Sequence, residues 1–128
     1  MKPYYENEYG VIYHGDCLDV LSELVDNSIH AVITDPPYEI GFMGKKWDSS
    51  GIANNVEVWR ECLRVLKPGG YLFAFGGTRT YHRMACAIED AGFEIRDMIS
   101  DLYSQDEAFR KFFDSLNNEQ QKMLGRAI

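Results

Sequence analysis

The sequence predicts a three-layer α/β domain on a mainly parallel sheet of about four strands, followed by a C-terminal helical segment. Two short apolar runs, 29–33 and 71–75, carry this expectation. Each is too brief for a helix, and the first is rich in β-branched residues, as in strands buried on both faces. Around them lie longer stretches with apolar residues at helical spacing, so strand-like and helix-like segments alternate. Pro68-Gly69-Gly70 and Gly76-Gly77 punctuate that alternation.

In chain order, Tyr9–Tyr13 reads as a first strand. Gly15-Asp16 leads into a helix from about Leu18 to Leu24, with Leu18, Leu21 and Leu24 on one face. Asp26-Asn27-Ser28 closes it, and Ile29–Thr34 is the second strand. Residues 38–53, three glycines among largely polar neighbours, form a long loop of the functional kind. Asn54 or Asn55 caps a helix reaching about Leu66, with Val58, Cys62, Val65 and Leu66 inward. Pro68-Gly69-Gly70 ends that helix, Tyr71–Phe75 is a third strand, a helix covers about 80–91, and Phe93–Ile99 is a fourth strand. Ser104 is placed to cap a helix at about 106–113, and another follows at about 118–127. The expected division is residues 1–100 as the α/β domain and 101–128 as a helical tail packed on it. In the tail, Phe109, Phe112, Phe113 and Leu116 make a helical stripe with Arg110 and Lys111 outside it. Such a stripe covers a sheet face or docks into a partner's groove.

Composition narrows the class of function. There is no run of eighteen apolar residues and no N-terminal secretion signal in these 128 residues, so a cytoplasmic protein with no membrane partner is expected. Cys17, Cys62 and Cys86 are odd in number and widely spaced, which reads as reduced, buried thiols. His14, His30 and His82 are equally scattered, and no metal site is expected. With 13 basic against 20 acidic residues the net charge is −7, which opposes phosphate binding unless the basic residues cluster. Lys45 and Lys46, with Arg79, His82 and Arg83 across the sheet top, are the candidate cluster. DNA contact by this chain is therefore expected to be weak or to depend on a partner.

The most specific feature is Asp35-Pro36-Pro37-Tyr38, directly after the second strand. Two prolines lack N–H groups and fix φ, so ladder pairing stops there. A carboxylate and a phenol are left on a stiff ledge at the carboxyl end of a strand, where open α/β sheets bind ligands. Asp35 and the Pro36 carbonyl are placed to accept the two N–H bonds of an aromatic amino group, with Tyr38 stacking on its ring. A plain strand-to-loop junction is the competing reading.

From Tyr9 to Ile99 the sequence resembles the DNA methyltransferases that modify adenine N6 or cytosine N4, in the permuted group whose target-base half comes first. The likeness rests on Gly15-Asp16-Cys17, Ile33-Thr34-Asp35-Pro36-Pro37-Tyr38 and Gly41-Phe42-Met43-Gly44-Lys45-Lys46-Trp47-Asp48. It continues through Trp59 to Gly70, then Tyr71-Leu72-Phe73-Ala74-Phe75-Gly76-Gly77 and Ala91-Gly92-Phe93-Glu94-Ile95-Arg96. The resemblance implies a partial Rossmann-like methyltransferase fold, S-adenosylmethionine as cofactor, and Asp35, Pro36 and Tyr38 as catalytic residues. Toward the cofactor it leaves Asp16 and Asp35. The family's Phe-x-Gly-x-Gly cofactor loop has no counterpart here, and the likeness stops after Ser100. A C-terminally truncated relative, not binding the cofactor or catalysing alone, is the expectation.

Two functions follow. The first is a methyltransferase-like protein of restriction-modification type that keeps the target-base half and needs another polypeptide for the cofactor half. The second is a non-catalytic protein-binding module, such as a phage or mobile-element inhibitor of a host defence nuclease, of anti-CRISPR or anti-restriction type. A protein partner or a second copy would join through a raw sheet edge or the C-terminal helix.

Overall fold

A computed structural model describes residues 1–98 and 107–121. The chain divides into two compact units, Met1–Ile95 and Arg96–Ile128.

The first unit opens with a hairpin of β1 (Tyr5–Asn7) and β2 (Gly10–Ile12), antiparallel with Tyr5 opposite Ile12. The Asn7 Oδ1 accepts the amides of Tyr9 at 2.9 Å and Gly10 at 3.0 Å, which sets the turn. The strand expected within Tyr9–Tyr13 is thus present, but its partner is Tyr5–Asn7 and it does not join the parallel sheet. Local closure through a two-residue link costs less chain entropy than a crossover.

Helix α1 (Cys17–Glu23) is capped by Asp16, whose carboxylate accepts the Leu18 amide at 2.9 Å. Strand β3 (Ile29–Thr34) follows, then the loop, then α2 (Val56–Val65), where Asn55 accepts the Glu57 amide at 3.0 Å. Arg64 joins α2 to the end of α1: its guanidinium donates to the Leu24 carbonyl at 2.9 Å and the Leu21 carbonyl at 2.7 Å. Cations are favoured at such helix ends because the last carbonyls carry the negative end of the dipole.

Strand β4 (Leu66–Ala74) pairs parallel with β3, Val32 opposite Leu72 and Thr34 opposite Ala74. It starts earlier than the sequence suggested. Leu66 already lies opposite Ile29, and Lys67–Gly70 form a bulge between that pair and Ala31 opposite Tyr71. Gly70 is required there, since a Cβ would stand 2.9 Å from the Lys67 carbonyl oxygen and 3.0 Å from that of His30. Helix α3 (Tyr81–Asp90) completes the unit.

The core sits on one side of this parallel pair. Ala53, Trp59, Cys62, Met84, Ala87, Ile88 and Ala91 form it, with Val32, Leu72 and Ala74 facing it from the sheet. Along both strands the alternate residues Ala31, Ile33, Tyr71 and Phe73 are exposed, Ile33 by 73%. The expected three-layer arrangement, with strands buried on both faces, is therefore corrected: the described residues form two separate two-stranded sheets, and helices cover one face of the parallel one. Residues 93–98 form no strand. Trp59 joins the expected inward set of α2, its indole N–H donating to the Ala53 carbonyl at 2.9 Å.

The thiols also differ from expectation, because helix phase separates them. Cys62 is buried and its pKa is pushed up to about 11 by desolvation, Cys17 is half-buried, and Cys86 is exposed.

In the second unit, α4 (Glu107–Asp114) carries a Glu107–Lys111 ion pair at 3.0 Å, one helical turn apart. A further turn at 118–121 opens with a reciprocal cap: Asn117 Oδ1 accepts the Gln120 amide at 2.9 Å and Gln120 Oε1 accepts the Asn117 amide at 3.0 Å. The expected Ser104 cap, and the helix beyond 121, lie outside the described residues. Among the described residues no helix is long and apolar enough to cross a membrane.

Candidate functional site

The parallel ladder runs to the tip of β3, where the Thr34 carbonyl accepts the Phe75 amide at 3.0 Å. Pro36 and Pro37 then end it, and Tyr38 follows without regular structure. Three contacts fix the ledge. The Thr80 hydroxyl donates to the Tyr38 carbonyl. The Tyr38 ring lies against Gly77, where a Cβ would stand only 3.1 Å from Cδ2. Gly76 is equally close-packed, with Tyr81 Cβ 3.0 Å and Met84 Cε 3.1 Å from where its own Cβ would be. Adjacent glycines here let two strand tips and a helix start meet within van der Waals range.

Asp35 is exposed and Tyr38 half-buried. Burial raises the phenol's pKa above its usual 10.0, and the hydrogen bond it donates to the Asp35 carboxylate, with that carboxylate's charge, acts in the same direction. The phenol stays protonated, and Asp35 keeps acceptor capacity towards solvent. Beside it a shallow cleft of about 190 Å³, counting its open mouth, is lined by Pro37, Tyr38, Gly76, Gly77, Thr80 and Tyr81 among others. Asp35 is not part of that lining.

The loop after the ledge is organised by two carboxylates to which sequence reasoning assigned no role. Asp48, 2% exposed, accepts the Phe42 amide at 2.7 Å and the Glu39 amide at 3.1 Å. Its own carbonyl accepts the Gly41 amide at 3.2 Å. The Phe42 amide leads in holding the Asp48 carboxyl below its usual pKa; burial opposes, and the Glu39, Ile40 and Tyr38 amides assist. Glu39 accepts the Gly51 amide at 2.9 Å and the Ala53 amide at 3.4 Å. The only signal was an acid inside a glycine-punctuated loop, and loops carry no periodicity that says which acids turn inward.

The remaining candidates are dispersed. Lys45 and Lys46 are exposed on this loop, and Arg79, His82 and Arg83 are exposed around the start of α3. Asp16 is engaged by α1, its carboxylate accepting the Leu18 amide, and it does not line the cleft beside Tyr38. In the second unit Phe112 is exposed and Leu116 half-buried, whereas the side chains of Phe109 and Phe113 lie outside the described residues. No cluster of three metal-ligating side chains occurs among the described residues.

Comparison with known proteins adds an independent observation. A family model described as DNA methylase, of the N6/N4 type, matches residues 29–124. The match passes Ser100, so the likeness extends into the segment that looked foreign by sequence. The chain is similar to the Type II methyltransferase M.BamHI of Bacillus amyloliquefaciens, 34% identical over 84 residues, covering 59% of this chain and 19% of that protein. It is 30% identical over 128 residues to the Type II methyltransferase M.HindIII of Haemophilus influenzae, covering 70% of this chain and 41% of that protein. The Type II methyltransferase M2.LlaDCHI of Lactococcus lactis is 27% identical over 117 residues, 77% of this chain and 44% of that protein. The chain thus spans less than half the length of these relatives.

Proposed function

The chain belongs to the N6/N4 DNA methylase family, and from that premise we propose that its Asp35-Pro36-Pro37-Tyr38 ledge receives the exocyclic amine of an adenine or cytosine drawn out of DNA. The observation that carries this reading is the fixing of Tyr38 by Thr80 and Gly77 beside an exposed Asp35 carboxylate. Asp35 and the Pro36 carbonyl accept the two amine N–H bonds, which concentrates electron density on the nitrogen. The Tyr38 ring supplies a stacking surface for the base. Positioning, rather than proton transfer, is the ledge's contribution.

Type II DNA methyltransferases imply S-adenosylmethionine as methyl donor. The cleft beside the ledge is too shallow to enclose it. In this proposal a further polypeptide segment or a second chain holds the donor, and the chain by itself transfers no methyl group. No observation favours the alternative of an inhibitor of a host defence nuclease.

Amine recognition is testable on the chain as it stands. Fluorescence-anisotropy titration with short single strands should show tighter binding of adenine- or cytosine-containing strands than of thymine-only strands, which lack an exocyclic amine. Asp35→Ala should erase that difference while circular dichroism stays unchanged. Equal affinity of the unaltered chain for all strands would end this reading.

A further inference from the structure

Residues 39–51 carry two acids, Glu39 and Asp48, and two bases, Lys45 and Lys46, so their formal charge cancels. The fold separates the two signs. Both carboxylates turn onto backbone amides, Asp48 onto those of Glu39 and Phe42 and Glu39 onto those of Gly51 and Ala53. The two lysines remain exposed, as do Phe42 (54%), Met43 (78%) and Trp47 (58%). Aromatic faces interleaved with cations on a track are what single-stranded nucleic acid binds, bases stacking on rings while phosphates meet the ammonium groups.

We infer that Asp48 is a positioning residue: clamped beneath the loop by the amides of Glu39 and Phe42, it holds Phe42, Lys45, Lys46 and Trp47 outward as a surface for unpaired nucleic acid. The inference extends the ledge reading, since this loop follows Tyr38 directly and would hold the strand flanking an extracted base. A loop without the clamp would leave Glu39 and Phe42 amides unpaired and free to swing, and the ordering cost would then fall on binding.

The experiment uses the full chain and a thymine-only single strand as probe, which reports the loop and not amine recognition. Asp48→Asn keeps one acceptor oxygen but turns an NH₂ group onto donors. It should weaken binding at least about tenfold, on the scale of one lost base–aromatic contact. Amide exchange at Glu39 and Phe42 should rise while the amides of α2 around buried Trp59 stay protected, a local change that a general loss of fold would not give. Lys45→Ala with Lys46→Ala leaves the clamp intact. It should lower affinity and reduce the slope of log affinity against log salt by about 1.4, at about 0.7 per phosphate contact in single strands, without changing amide exchange. This double variant keeps the test decisive if Asp48→Asn unfolds. The inference is overturned if either folded variant binds the strand like the unaltered chain, or if the unaltered chain does not bind it. Failure of the ledge reading is seen separately: equal affinity of the unaltered chain for adenine-containing and thymine-only strands ends that reading, while the thymine-strand comparison of the Asp48 and Lys45/Lys46 variants still decides this one.

Discussion

Thr80 occupies the N-cap position of α3, yet its hydroxyl makes no capping bond and instead donates to the carbonyl of Tyr38. Residues of this type at this position usually satisfy a free helix amide. Here the same group ties the start of a helix to the ledge 42 positions earlier in the chain. Tyr38 is thereby held from both sides, by a hydrogen bond at its backbone and by Gly77 against its ring.

Thr80→Val removes that bond at nearly constant volume. The expected outcome is a loss of about 1 kcal/mol in denaturant unfolding, the usual net value of one hydrogen bond. The discrimination between amine-bearing and thymine-only strands should fall with it. Thr80→Ser should keep both. Undiminished discrimination in the valine variant would show that the ledge is fixed by packing alone.

Gly77→Ala puts a methyl group 3.1 Å from Cδ2 and 3.6 Å from Cβ of Tyr38, near the root of the side chain rather than its free end. The ring must move, at about 1–3 kcal/mol for overpacking. Gly10→Ala is the control, with nothing within 4 Å of its added Cβ, and should change stability by no more than about 0.5 kcal/mol. Equal melting temperatures for the two variants would contradict the close approach.

The Asp48 carboxyl titrates below its usual 3.8 because amides bind its charged form, led by that of Phe42. A depressed folded pKa contributes stability that is fully present above the unfolded value and is lost as pH falls through the folded one. Loop order, read by amide exchange at Glu39 and Phe42, should therefore hold at neutral pH and weaken only on acidification below about pH 4. Asp48→Asn should already have lost this order at neutral pH and so show less of the acid-induced change. A loop that loosens between pH 5 and 7 would point to another group.

Desolvation raises Cys62 from 9.0 to about 11, and Cys86 is exposed. Since the thiolate is the reactive form, a soluble thiol reagent at pH 8 should modify Cys86 first and Cys62 only as the chain unfolds, resolved by mass spectrometry. The sign for stability is opposite to that of Asp48. A raised folded pKa gives a contribution that is complete below pH 9.0 and lost as pH rises through about 11.

Much of the local structure was legible without coordinates. Asp16 and Asn55 cap the helices they precede, β3 spans the expected residues, and the prolines stop it where they must. These are short-range effects, written in the residues that undergo them. The family was legible for the same reason, since its motifs are contiguous. The first strand forms but finds another partner, and residues 93–98 form none, because an apolar run states that a segment can extend, not which neighbour it finds.

What the sequence determined by itself, then, is the ledge: which residues end the strand, which cap the helices, and which carboxylate and phenol stand together. Only the tertiary structure decided that Ile33, Tyr71 and Phe73 face outward, because periodicity counts apolar residues and does not say what covers them. Only it decided that Asp48 lies under the loop, that Thr80 serves Tyr38 instead of its own helix, and that Lys45 and Lys46 are left facing solvent. Each of these depends on amides and carbonyls brought together by chain closure, and no side-chain pattern records where a closing chain leaves a free amide.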